Sequence, residues 1–269
     1  MPDLLVAVED LLRRTAAEIV LPRFRSPETA RFEKRPGDWV TEADLESEAA
    51  LTAQLSRLLP GSTVVGEEAV HADPTVLQRL GSDGPVWLVD PVDGTANFAA
   101  GRAPFALIVA LVTSGTTTHG WIYLPLEDRM LRTRAGAGIR LDHGHRHRSE
   151  SDAGGLRGIV PLHALPAAEA AAIRERSSAG LADLVPTMGC AGAEYPAVLD
   201  GRVDFVLFTG SMPWDHAAGA LALAESGGRA AYLDGQPYTV LDESRRALLI
   251  ARTQQVWDDV RRDLLEGVQ

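Results

Sequence analysis

Leu4, Val8, Leu11, Leu12, Ile19 and Val20 recur near a 3.6-residue period, which predicts an amphipathic helix that Pro22 ends. A second helix is predicted from Thr41, where Thr41-Glu42-Ala43-Asp44 has the spacing of a capping box. Ala50, Leu51, Leu55 and Leu58 form its apolar stripe, and Pro60-Gly61 stops it. The apolar runs then shorten. Thr63-Val64-Val65 and Val86-Trp87-Leu88-Val89 read as strands ending in acidic turns, and residues 105–112 as a buried strand. Trp121-Ile122-Tyr123, with pieces flanking Ala135-Gly136-Ala137-Gly138, extends these into a meander. After residue 150 strands and helices alternate. Strands are expected at 156–160, 203–208 and 247–251. Helices are expected from Pro166 through Arg176, at 190–199, at 214–226 up to Gly227-Gly228, and around 256–265. The pattern predicts an α/β chain of layered helices and sheets with a seam near 150, so that halves 1–150 and 151–269 pack as one unit.

Composition narrows what such a chain does. Of 269 residues, 45% are hydrophobic and 23% charged, an ordinary globular balance. The net charge of −11 repels phosphate backbones, so no nucleic-acid partner is expected. Cys190 is the single cysteine and cannot form an internal disulfide, which suits a reducing cytoplasm. No apolar run approaches the ~18 residues of a membrane span, and Met1-Pro2-Asp3 lacks the layout of a signal peptide. A soluble cytoplasmic protein without a membrane partner is expected.

Four stretches carry acids at the ends of predicted elements: Asp38-Trp39-Val40-Thr41 with Asp44, Gly66-Glu67-Glu68, Asp90-Pro91-Val92-Asp93-Gly94-Thr95, and Trp214-Asp215. Any one alone reads equally as a solvated loop, and Asp215 as an ordinary acid at a helix start. The third is different. Pro91 fixes the chain between two acids, so a loop there turns both carboxylates and the Val92 carbonyl toward one point. Oxygen donors at short range suit a hard cation, of which magnesium is the common cellular choice. Gly94 admits a ligand close to the backbone, and Thr95 opens a short helix whose free N–H groups hold an anion. Metal ligands beside an anion cradle are the requirements of phosphate chemistry. No G-x-x-x-x-G-K-[ST] loop is present, which disfavours a nucleotide kinase.

Taken together, residues 87–98 (WLVDPVDGTANF) and 214–219 (WDHAAG) running on to Glu225-Ser226-Gly227-Gly228 resemble the two signatures of the inositol monophosphatase family. The two shorter acidic stretches match its remaining motifs in order. The resemblance implies an α–β–α–β–α phosphomonoesterase that is magnesium-dependent, lithium-sensitive and dimeric, with two or three Mg2+ per site. It implies that Glu67, Asp90 and the Val92 carbonyl hold a first metal, and Asp90, Asp93 and Asp215 a second. Thr95, paired with Asp44, would orient the attacking water; Gly94 and Thr95 would bind phosphate oxygens; Glu68 would reach an outer metal, and Lys34 would stand at the mouth of the site. Asp93, Ala191, Glu194 and Asp215 complete the expected substrate contacts. Where inositol phosphatases carry a glutamate seven residues before the second-signature aspartate, this chain has Phe208. Glu194 or Tyr195 is then the candidate replacement acceptor beside Gly189-Cys190-Ala191. Inositol 1-phosphate is the first substrate expected. Histidinol phosphate, 3′-phosphoadenosine 5′-phosphate, fructose 1,6-bisphosphate and other sugar or nucleotide phosphates are alternatives, and the rival class is a regulatory binding protein on the same scaffold. His143, His145 and His147 are expected on a solvated hairpin tip, and Cys190 as a buried structural thiol.

Overall fold

In the computed structural model, which describes residues 3–26, 29–35, 38–142 and 155–268, helix α1 (Leu4–Thr15) starts at Asp3, whose carboxylate accepts the Leu5 N–H at 3.0 Å. The helical path continues through a π-type turn (Ala16–Val20) into α2 (Leu21–Arg23), so Pro22 does not end it. The wide turn restarts the hydrogen-bond ladder, and Pro22 falls in a first turn, where a missing N–H costs little. A hairpin that the pattern did not show, β1 (Arg31–Arg35) with β2 (Asp38–Thr41), leads into α3 (Glu42–Leu58). The capping box at Thr41 and Asp44 is formed as expected.

Six strands follow in sequence order as one sheet: β3 (Thr63–Gly66), β4 (Pro85–Asp93), β5 (Ala106–Thr113), β6 (Thr116–Leu124), β7 (Arg129–Arg134) and β8 (Ile139–Leu141). The pair β3–β4 is parallel and the rest is the antiparallel meander. Helix α4 (Glu67–Ala72) and a 3₁₀ segment (Pro74–Gly81) join β3 to β4, and α5 (Thr95–Ala99) follows β4. The second sheet takes β9 (Leu156–Ile159), β10 (Ala182–Val185), β11 (Phe205–Phe208), β12 (Arg229–Tyr232) and β13 (Leu248–Ala251) in the order β10-β9-β11-β13-β12. Its helices are α6 (Ala167–Ser178), α7 (Ala191–Leu199), α8 (Pro213–Glu225) and α9 (Gln254–Asp259). Among the described residues no helix is long and apolar enough to cross a membrane.

The period of two along β5 assigns the layers. Leu107, Val109 and Leu111 pack against Val8, Leu12, Leu51 and Leu55 of α1 and α3. The alternate residues Ile108, Ala110 and Val112 face Ala193, Ala197, Trp214 and Ala218 of α7 and α8. Val206 and Ile250 close that layer from the second sheet, while Phe205, Leu207 and Leu249 pack against Ile173, Trp257 and Leu264 on the outer side. The order is α–β–α–β–α, with α7 and α8 between the sheets.

Close packing fixes where α8 can sit. At Gly120 of β6 a Cβ would lie 2.8 Å from the Cα of Ala218, one turn beyond Asp215. Gly120→Ala is therefore expected to cost about 1–3 kcal/mol by forcing sheet and helix apart. A denaturant midpoint equal to that of the unaltered chain would show that the layer can yield.

Candidate active site

Asp90 to Asp93 of the third acidic stretch belong to a strand, not to the loop its composition suggests. In β4, Asp90 lies opposite Ile108 and Asp93 opposite Ala106, so three steps on one strand match two on its neighbour. Acids three apart on a regular strand face opposite sides; the extra residue brings both to the side of α7 and α8. Pro91 falls at the irregularity, where no ladder N–H is demanded. Asp90 is 2% exposed, and its Oδ1 accepts the Val92 N–H at 3.1 Å.

Residues of α3, α4, α5, α7 and α8 come to this part of β4. From α3, Asp44 Oδ2 accepts the Thr41 N–H at 2.9 Å and the Thr41 hydroxyl at 2.5 Å. Asp44 Oδ1 lies 3.2 Å from Thr95 Oγ1, which is also 2.8 Å from the Val92 carbonyl oxygen. Having one proton, the hydroxyl donates to one of these at a time. Gly94, at φ +83°, caps α5, and a Cβ there would stand 3.1 Å from both Cys190 Cβ and the Pro104 carbonyl oxygen. Glycine is required on conformational and steric grounds alike. Asn97 ties this corner to the α7 approach, donating to the Pro104 and Met188 carbonyls at 2.9 Å each.

The carboxyl groups lie within electrostatic reach of one another. Burial, then the charges of Glu67, Asp93, Asp215 and Asp44, hold Asp90 well above the usual carboxylate range. Burial and the Asp93 charge push Asp215 up to about 8, offset by a hydrogen bond with Asp90. Burial pushes Asp44 up to about 6, against its two Thr41 bonds. Asp93 is raised by burial, against donors at the start of α7: the Cys190 thiol at 3.0 Å and the N–H groups of Ala191 and Gly192 at 3.2 and 2.6 Å. A tight group of three His, Cys, Asp or Glu side chains is not formed among the described residues as they stand. The acids share one neighbourhood, but Asp93 is turned onto the start of α7. Oxygen donors set around a buried carboxylate whose resolved electrostatic neighbours are all acids fit a hard divalent cation, since a charge so placed needs a counter-ion.

At the substrate end both candidate acceptors already hold partners within the fold. Glu194 is 3% exposed, and its Oε1 accepts the Thr187 hydroxyl at 2.7 Å and the Met188 N–H at 2.8 Å. It secures the turn before α7 through that one oxygen. Tyr195 is fully buried, with its hydroxyl 3.2 Å from His216 Nδ1 and its ring stacked on Phe208 at 5.7 Å. Burial and the hydrogen bond of the Gly210 carbonyl to Nε2 decide the His216 state: burial dominates and lowers it to about 4, so the ring is neutral near pH 7. Nε2–H donates to Gly210, and Nδ1 accepts from Tyr195. Lys34 lies on β1 with its side chain outside the described residues, as are His143, His145 and His147.

Two partners escaped the sequence reading. Cys190 is buried as expected, but its thiol serves Asp93. Glu48, 7% exposed, accepts the N–H groups of Glu68 at 2.7 Å and Ala69 at 2.8 Å. Its signal was its place four residues after Asp44, on the same helix face.

The sequence model of the inositol monophosphatase family matches residues 2–264. An inositol-1-monophosphatase of Bacillus subtilis (strain 168) is 28% identical over 227 residues, 80% of each chain. The Nus factor SuhB of Salmonella typhimurium (strain 14028s) is 30% identical over 235 residues, 84% of each. The crystal structure of extragenic suppressor protein suhB from Bartonella henselae has the same fold, with a TM-score of 0.78 at 22% identity over 98% of both chains.

Proposed function

We propose, because this chain belongs to the inositol monophosphatase family, that it is a magnesium-dependent phosphomonoesterase acting on a small phosphorylated alcohol. The observation that carries the reading is the buried Asp90 at a strand irregularity, ringed by Glu67, Asp93, Asp215 and Asp44. Glu67, Asp90 and the Val92 carbonyl are the donors for one Mg2+, and Asp90, Asp93 and Asp215 for a second, with Glu68 reaching a third through water. Bound magnesium supplies acidification of water and neutralisation of the departing alkoxide.

The protein's own groups do the positioning. Thr95, held between Asp44 and the Val92 carbonyl, orients the attacking water and passes its proton toward Asp44, whose raised pKa suits it to receive one. The N–H groups of Gly94 and Thr95 and the start of α7 at Ala191 hold the phosphate and alcohol oxygens. Lys34 is read, on the family resemblance alone, as a basic group for the mouth of the site. The same reading makes the chain lithium-sensitive, homodimeric and cytoplasmic, its halves 1–150 and 151–269 one catalytic unit, with no nucleic-acid partner.

Inositol 1-phosphate is the first substrate to test. Phe208 offers no acceptor to a ring hydroxyl, and Glu194 is engaged with its own loop. Discrimination that rests on such a bond is therefore weakened, which a related site can lose by large factors. Phosphate release should be screened over inositol 1-phosphate, histidinol phosphate, 3′-phosphoadenosine 5′-phosphate, fructose 1,6-bisphosphate and simple sugar and nucleotide phosphates, with Mg2+ and then with added Li+. Release that needs Mg2+ and falls with Li+ is expected. No release from any compound favours the second reading, a binding protein on this scaffold, which the similarity to proteins named Nus factor SuhB keeps in view.

A further inference from the structure

We infer that Glu48 is a positioning residue for metal binding, clamping the β3–α4 junction so that Glu67 faces Asp90. This rests on the reading of Glu67 as a metal ligand. Glu67 is the first residue of α4, and the charge of Glu67 is the largest electrostatic influence on Asp90 after burial. A helix leaves its first N–H groups without intrahelical partners. Here those of Glu68 and Ala69 are met by the two oxygens of one carboxylate, Oε2 at 2.7 Å and Oε1 at 2.8 Å. The acceptor comes from α3, twenty residues earlier, not from a local cap; Gly66 at the cap position has no side chain to offer.

Gly66 carries the second, independent observation. Its φ of −101° and ψ of 153° are extended values open to any residue, so conformation does not require glycine. Space does. A Cβ at Gly66 would fall inside the contact radius of Cδ and both oxygens of Glu48. The bare backbone lets the carboxylate lie flat over the junction. Helix α3 therefore has two functions one turn apart: Asp44 orients Thr95, and Glu48 sets the first turn of α4. Asp90 feels the charges of both Asp44 and Glu67, one from each corner.

A carboxylate is needed for this geometry. In Glu48→Gln one oxygen becomes an NH2 group, which faces an N–H and cannot accept it. The junction then loses half its clamp, and Glu67 can turn with it. Altered partners behind metal ligands typically cost about 10–100-fold in metal affinity.

The experiment measures Mn2+ binding without substrate, from the free-ion EPR signal, alongside melting temperature. Glu48→Gln should weaken the tightest site by about 10–100-fold. Gly66→Ala should act in the same direction, and the double variant by less than the product of the two, since both disturb one contact. Val256→Ala, in the outer helix layer, controls for lost stability and should leave the affinity unchanged. Glu67→Gln should remove the site. If Glu67→Gln removes it while Glu48→Gln and Gly66→Ala bind Mn2+ within twofold of the unaltered chain, the inference fails and the ligand assignment stands. If all three bind normally, both fail. Should Glu48→Gln not fold, Gly66→Ala decides alone.

Discussion

Asp90→Asn is expected to lower phosphate release by about 10³-fold or more at saturating Mg2+, equivalent to about 4 kcal/mol of barrier. In metal-free solution the same variant is expected to melt no lower than the unaltered chain. The two effects have one cause. Asp90 is the carboxylate on which the proposed metal positions converge, so its loss removes a donor from both. Without metal its ionised form is disfavoured, being buried and faced by Glu67, Asp93, Asp215 and Asp44, so the empty fold holds a proton that the unfolded chain releases. An amide keeps the shape and the Val92 N–H acceptor while removing the repulsion. Asp200 gives the contrast. It is also buried, but the Arg129 guanidinium donates to it at 2.5 Å, with Arg129 itself 6% exposed. Asp200→Asn strands that cation and is expected to cost about 3–5 kcal/mol with turnover retained in the folded fraction. Melting curves in EDTA and turnover at saturating Mg2+ separate the two acids. A metal-free Asp90→Asn protein that melts well below the unaltered chain would show that Asp90 is structural.

What was legible in the sequence depended on how much of an element's environment its own pattern encodes. The central strand β5 alternates between two buried faces, and its run of apolar residues was plain. The capping box of α3 is written in four consecutive residues, and it was found. Strands β10 and β12 were not. Both are edge strands of four residues, half-buried at one end, and neither shows a period of two. The hairpin of β1 and β2 carries Arg31, Glu33 and Arg35, which disguise a strand as a polar loop.

At the site, types of residue were legible and directions were not. Composition marked Asp90 and Asp93 as a pair, but their common orientation comes from a register irregularity against β5, which requires the partner strand to be seen. Glu194 looked like a free acceptor one turn into α7; only the fold shows that the chain before α7 doubles back onto it. Glu48 was overlooked for the same reason, since its partners lie in a different element.

The buried acids of the site also predict how the stability of the chain depends on pH. Without metal, burial raises Asp90, Asp93 and Asp44, the last to about 6, and Asp215 to about 8, and the charges of neighbouring acids add to the rise at Asp90 and Asp215. Below about pH 4 these groups are protonated folded or unfolded, and the stability of the cluster is fully present. As pH rises past 3.8 the unfolded chain releases its protons while the folded chain keeps them. Stability therefore falls with rising pH until the folded groups ionise, Asp44 near 6 and Asp215 near 8. Each proton so held contributes a slope of at most about 1.4 kcal/mol per pH unit. A divalent cation must displace those protons, so its affinity should climb over the same interval. The melting temperature in EDTA is expected to fall from pH 6 to pH 8, and the gain on adding Mg2+ to be larger at pH 8 than at pH 6. Asp215→Asn should flatten the EDTA curve between pH 6 and 8, because the group ionising there has gone. A metal-free melting temperature that holds level or rises across that interval would mean that the acids are ionised in the empty fold, and that the cluster is less buried against itself than its geometry indicates.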